Sequence, residues 1–113
     1  LLERCRRESA QPAVSAELLA LDPQVTDCNA ALFDVANAFR GCIAGCHEVL
    51  RRQGLLEGVW CLDPDEGLSP GQADELTRVQ CAYPHLTDDA FVAANLHRWL
   101  SGDRGIALRG IDA

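Results

Sequence analysis

The sequence predicts an all-α fold, an array of four to five short helices. Apolar residues recur at steps of three and four, the spacing of a buried stripe along one helix. Ser, Pro and Gly stand at positions where helices typically begin and end. No segment has the alternation of apolar and polar residues that marks a half-buried strand, so no sheet is expected.

Prolines separate the first three predicted helical segments. Residues 1–10 have helical composition and are followed by Pro12, and a short segment over 15–21 is followed by Pro23. Because a proline pushes the residue before it out of the helical region, each segment is expected to end there. The next helix is predicted over 24–40. Its inward stripe consists of Val25, Cys28, Leu32, Val35, Ala36 and Phe39.

A further helix is predicted over 41–53, and Gly54 suits its left-handed C-terminal cap. The predicted inward face consists of Ile43, Cys46, His47, Val49 and Leu50, with Glu48, Arg51 and Arg52 opposite. Residues 55–68 contain Pro64 and two glycines, which favour an extended connector. Three apolar residues of this connector are expected to pack into the core as plugs: Val59, Trp60 and Leu62.

Two capping signals predict the last two helices. Ser69 followed by Pro70 and Gln72 is typical of a capping box, and the helix is expected to run to Ala82. Thr87 and the two acids after it predict a final helix through Leu100. The predicted core consists of Leu32, Phe33, Phe39, Leu50, Leu76, Phe91, Leu96 and Trp99. Residues 1–100 are predicted to form a single helical module, and residues 101–113 a flexible tail.

Charge and length restrict the function. A chain of 113 residues fits one domain, and seventeen acidic against ten basic residues give a net charge of -7. This balance disfavours nucleic acid, whose binding requires a concentrated basic face. All ten basic residues are Arg, so no side chain here can form a Schiff base with a carbonyl substrate. No apolar stretch is long enough to span a membrane, so no membrane partner is expected.

Six cysteines lie mostly in apolar, helical stretches, which predicts reduced, buried thiols in a cytoplasmic protein rather than a disulfide framework. The chain contains no Met and begins at Leu1, so we expect a processed product or a fragment of a longer protein.

One cluster resembles a thiol or metal site. Cys42 and Cys46 lie four residues apart on one predicted helix, and His47 follows the second. A zinc site usually has four ligands with tightly spaced pairs, and no C-x2-C or H-x3-H pair is present. Packing of small thiols in the core is therefore favoured, and metal binding stays as the less favoured alternative. No catalytic, cofactor-binding or metal-binding residue is assigned, and no cofactor is expected.

The other candidate groups have structural interpretations. Gly41 and Gly45 would let a helix approach closely, and Asp88 and Asp89 would serve helix capping. The loop acids Asp63, Asp65 and Glu66 lack calcium-loop spacing and predict a solvated turn. Trp60 and Trp99 are interpreted as core anchors. Arg51 and Arg52 are only two charges, too few to form an anion-binding site.

The stretch 31–79 resembles the C-terminal helical segment of the dihydrodipicolinate synthase and N-acetylneuraminate lyase family. The resemblance lies in the order of several short phrases. These are Leu32-Phe33, Asn37, a helix bearing Val49-Leu50, Gly54-Leu55-Leu56 with Gly58, the connector Trp60 to Pro64, and Leu68-Ser69 at the next helix. The family pattern has a Pro after the Asn and a Lys a few residues later, where this chain has Ala38 to Gly41.

The resemblance implies that the chain is the helical C-terminal portion of a TIM-barrel lyase that acts on pyruvate or a related keto acid. The family's catalytic Tyr and Schiff-base Lys lie upstream, in a barrel of about 250 residues. No catalytic role therefore carries over onto this chain, and Tyr83 does not inherit one. The implied partners are the rest of the parent barrel or a second copy in an oligomer. The alternative is a stand-alone helical interaction module.

Overall fold

The structure is a computed structural model that describes residues 1–101. Within this range the chain forms five α-helices and two 3₁₀ turns and has no strand. The helices are α1 (Leu2–Glu8), α2 (Ala16–Leu32), α3 (Cys42–Arg52), α4 (Gln72–Ala82) and α5 (Asp89–Leu100), and the 3₁₀ turns are Val35–Asn37 and Pro84–Leu86. The all-α prediction is confirmed. Residues 102–113 of the predicted tail lie outside the described residues.

A single helix, α2, replaces the two segments predicted on either side of Pro23. The hydroxyl oxygen of Ser15 accepts a hydrogen bond from the Leu18 N–H at 3.1 Å and caps the helix, and Pro23 lies inside it. Proline removes a backbone donor and crowds the preceding turn, which weakens a helix without always ending it. Here the following turns are held by packing, because Ala31 and Leu32 lie in the core.

The same helix ends at Leu32 and not at residue 40 as predicted. Asp34 has a φ of 57°, and Ala38 and Phe39 have φ values of 54° and 64°, which are left-handed conformations that break an α-helix. The predicted stripe is therefore wrong beyond Leu32. Phe39 is 59% exposed.

The inward face of helix α3 matches the predicted one only in part, since Val49 packs against the core as predicted. Its buried residues are Ala44, Gly45 and Glu48, whereas Ile43 and Leu50 are exposed. Small residues lie against α2 on this face, and the carboxylate of Glu48 is paired with arginines. The prediction that placed Glu48 on the outer side is therefore wrong.

Helices α2, α3 and α4 form the core, with α2 and α4 in the most extensive contact. Ala31, Leu76 and Val79 are the buried centre, and Val92 is the one buried residue of α5. Of the predicted core, Leu76 is 1% exposed, while the exposed members are Phe39, Leu50, Phe91 and Trp99. The predicted plugs Trp60 and Leu62 are exposed as well.

The two capping predictions differ from the structure in detail. In α4 the side-chain oxygen of Gln72 accepts a hydrogen bond from the Ser69 N–H at 3.1 Å, but the Ser69 hydroxyl bonds to Asp34 instead of capping the helix. Thr87 donates its hydroxyl to the Pro84 carbonyl, so it does not cap α5. None of the helices in the described range is long and apolar enough to cross a membrane.

Candidate functional site

A buried carboxylate, Asp34, organises the turn between α2 and α3. It is 3% exposed and accepts hydrogen bonds from the Asn37 amide at 2.7 Å, the Gly41 N–H at 2.9 Å and the Ser69 hydroxyl at 2.5 Å. Burial alone would raise the pKa of Asp34, but the three donors outweigh it and the pKa is lowered. Asp and Asn tolerate left-handed backbone, and this is the signal that could have revealed the turn.

Gln72 joins the same network from the start of α4. It is 3% exposed, and its side-chain amide donates to the carbonyl of Gly41 at 2.9 Å. A Cβ added to Gly41 would lie 2.0 Å from the Gln72 side-chain oxygen, and one added to Gly45 would lie 2.2 Å from the Leu32 carbonyl oxygen. Both glycines therefore permit close packing, as their spacing predicted.

Two ion-pair networks hold the helices together. Glu48 accepts hydrogen bonds from Arg51 at 2.7 Å and Arg52 at 2.8 Å, and these lower the pKa of Glu48 to about 2. Arg52 also donates to the side chains of Thr77 and Gln80 and thereby ties α3 to α4. The two arginines are thus structural.

The second network ties α2 to α4. The guanidinium of Arg78 donates to both carboxylate oxygens of Asp27, at 2.9 and 2.7 Å, and the Tyr83 hydroxyl donates to Asp27 at 2.9 Å. These bonds, from Arg78 above all, lower the pKa of Asp27 to about 2. Tyr83 is therefore engaged in a helix-to-helix contact.

The six cysteines are all free. The sequence predicted buried thiols, but Cys28, Cys42, Cys46 and Cys61 are half-buried and Cys5 and Cys81 are exposed. Burial, followed by the proximity of Cys42, raises the pKa of the Cys46 thiol. The Nδ1 atom of His47 is buried and has no hydrogen-bond partner among residues 1–101. In residues 1–101 no three His, Cys, Asp or Glu side chains are arranged to hold a metal ion.

The loop acids Asp63 and Asp65 are exposed in a turn, as predicted. Asp63 accepts a hydrogen bond from the Asp65 N–H at 2.9 Å, which closes a local turn. Asp88 and Asp89 lie at the start of α5, where both accept hydrogen bonds from the Gln53 amide, at 2.7 and 2.9 Å. This bridge between α3 and α5 was not apparent from the sequence.

An open cleft of about 170 Å³ lies over the core, between α2, α3, α4 and the start of α5. Leu76 and Val79 form its floor, and Gln53, Asp88 and Asp89 lie among its lining residues. Sequence reasoning missed the cleft because its residues come from four separate segments. Its apolar floor is a surface suited to contact with another apolar group.

Large apolar side chains are also exposed over much of the described chain. Phe91 and Trp99 form an edge-to-face pair on α5, with ring centroids 5.7 Å apart, and are 61% and 43% exposed. The other exposed large apolar residues are Leu1, Leu2, Val14, Leu19, Val35, Phe39, Ile43, Leu50, Trp60, Leu62 and Leu100. The described part of the chain thus leaves thirteen large apolar side chains exposed.

Comparison with protein-family models, with curated proteins and with solved structures finds no match for this chain.

Proposed function

We propose that this chain is the helical packing module of a larger Schiff-base lyase similar to dihydrodipicolinate synthase, which acts on pyruvate or a related keto acid. The module contributes packing or oligomer contacts and is catalytically silent alone. Because the chain has no Lys, the Schiff-base amine is supplied by another part of the parent protein.

The exposed apolar surface carries this proposal. In residues 1–101 thirteen large apolar side chains are exposed, whereas the buried apolar residues are Ala31, Ala44, Leu76, Val79 and Val92. Single exposed apolar residues are ordinary, but larger apolar surfaces mark contacts with protein. Helix α5 illustrates this, because it has twelve residues, one of them buried, and isolated helices of this length are marginal in water.

The resemblance over residues 31–79 selects the kind of parent protein. It implies a Leu-Phe pair, an Asn-containing loop, a helix ending in Gly-Leu, a connector with proline and a Leu-Ser start to another helix. The described chain has α2, the turn at Asn37, α3, the connector through Pro64 and α4 in this order. The agreement between this order and the order that the resemblance implies supports the proposal. The proposed chemistry of the parent protein rests on the resemblance alone.

The coding sequence upstream of Leu1 tests the proposal. We expect the reading frame to continue through about 200 further codons that encode a β/α barrel with a Lys at the end of a strand. In the protein expressed from the whole frame, that Lys should form a Schiff base with pyruvate. Borohydride should reduce this Schiff base and leave pyruvate covalently attached to the Lys. A frame that encodes no barrel, or a barrel that gives no borohydride adduct, would contradict the lyase assignment.

A stand-alone helical interaction module is the second candidate, and the same exposed apolar surface favours it. The two candidates differ in the behaviour of the isolated chain. A severed packing module should associate or lack fixed packing around its two tryptophans, whereas a free-standing module should unfold cooperatively as a monomer or a defined oligomer. Sedimentation velocity combined with near-ultraviolet circular dichroism distinguishes these outcomes.

A further inference from the structure

The cleft over Leu76 and Val79 is the open side of the hydrophobic core. These two residues are buried, and Cys28, Leu32 and Val49, which pack against the core, also line the cleft. Protein interiors are close-packed, and a void beside core residues lacks the contacts that stabilise them. A group that fills the cleft would therefore complete the core.

The dimensions of the cleft suit a single side chain. Its volume is about 170 Å³, whereas pockets for drug-sized ligands usually measure roughly 300–1,000 Å³. An apolar side chain the size of Leu or Phe fits this space, and helices commonly dock by inserting such anchors into apolar grooves.

The mouth of the cleft carries negative charge. Asp88 and Asp89 are among its lining residues, and no lining residue is basic. The Gln53 amide donates to one oxygen of each carboxylate without neutralising either, and no described residue forms an ion pair with them. Arg52 contacts the lining residue Gln80 and shares the Glu48 carboxylate with Arg51, so this group has one net positive charge against the two negative charges of Asp88 and Asp89. The mouth thus complements a cation.

We propose that the cleft docks a helix of the protein that covers this module, with one apolar side chain in the cleft and a Lys or Arg one turn away against Asp88 and Asp89. The inference rests on the proposed function, which requires a covering protein. The apolar anchor supplies contact area, and the paired charges set the orientation and register of the helix.

Three alanine-based helical peptides test the docking against the full, reduced chain labelled with ¹⁵N. The first has a central Leu with Lys one turn away, the second replaces this Lys by Glu, and the third replaces the Leu by Ala. Amide shifts of cleft residues give the dissociation constants. The Lys peptide is expected to bind at least about threefold more tightly than the Glu peptide, and the Ala peptide more weakly than either.

Matched variants assign the effect to the cleft. D88N/D89N should abolish the preference for Lys, whereas D63N/D65N, which alters two exposed carboxylates that do not line the cleft, should retain it. Val49→Phe fills the cleft from its wall and should remove binding of the Leu peptide while the helical circular dichroism spectrum is kept. This variant tests the cleft independently of the charge change.

The docking proposal is overturned if no peptide binds, if the Lys and Glu peptides bind equally, or if D88N/D89N keeps the preference. Unchanged binding to folded Val49→Phe also overturns it. Tighter binding of n-hexylammonium than of the Lys peptide would replace the helix by a small amine as the occupant. The proposed lyase parentage is judged separately, by the upstream reading frame and the borohydride adduct.

Discussion

The carbonyl oxygen of Leu32 lies 2.2 Å from the position that a Cβ would occupy on Gly45, so the end of α2 and the first turn of α3 are in backbone contact. Gly45 is buried, and the side-chain nitrogen of Gln72 lies 2.6 Å from the same Cβ position. This contact fixes the separation of the two helices.

Gly45→Ala should therefore destabilise the fold by about 1–3 kcal/mol, because the added methyl group meets backbone that cannot move aside cheaply. The free energy of unfolding in urea measures the effect. Gly67→Ala is the matched control, since a Cβ there meets nothing within 4 Å, and it should change stability by less than about 0.5 kcal/mol. Equal losses in both variants would contradict the close contact.

Ala38→Gly should stabilise the chain by about 0.5–1 kcal/mol. Ala38 has a φ of 54°, a conformation in which a Cβ costs about 1–2 kcal/mol and Gly has no such penalty. The greater conformational entropy of Gly in the unfolded chain offsets part of this gain. Ala36→Gly is the control, because Ala36 lies in a 3₁₀ turn without positive φ, and it should destabilise. A loss of stability in both variants, measured by urea denaturation, would refute this explanation.

Glu48→Gln should change how stability depends on pH. The arginine hydrogen bonds lower the pKa of Glu48 from 4.5 to about 2, so its contribution is full above the unfolded pKa and is lost as pH falls from about 4.5 to about 2. The variant should lose about 1–3 kcal/mol at pH 7 and approach the wild type near pH 2.

Urea midpoints at pH 7, 4, 3 and 2 measure this convergence. Glu57→Gln is the control, because Glu57 is exposed and makes no side-chain hydrogen bond in the described structure. A constant difference between Glu48→Gln and the wild type at every pH would contradict the role of the charge.

The six thiols should react in two groups with a disulfide reagent at neutral pH. Cys5 and Cys81 are exposed and should react first, whereas burial raises the pKa of Cys28 and Cys46 and slows them. C5S/C81S should lose the fast phase, and all six thiols of the wild type should react in denaturant. A fast phase that survives in C5S/C81S would mean that the half-buried thiols are more accessible than the structure indicates.

The sequence by itself determined the helical class and most helix ends. Periodic apolar residues and helix-ending residues such as Gly54 and Tyr83-Pro84 act over a few neighbouring residues. Their effect can therefore be predicted without knowledge of the tertiary structure. The start of α4 was predicted to within a few residues from Ser69, Pro70 and Gln72 for the same reason.

Tertiary structure alone decided which faces are buried and where the cleft lies. Asp34 gains its partner Ser69 from 35 residues away, and Arg52 ties Glu48 to α4, so long-range hydrogen bonds outweigh the local pattern that predicted a longer helix and an outward Glu48. Phe91 and Trp99 were predicted to lie in the core because they are apolar and recur with helical spacing. Such periodicity indicates only which residues share a helix face. Whether this face meets its own chain depends on packing between distant segments, and these contacts bury Val92 and leave the two aromatics exposed.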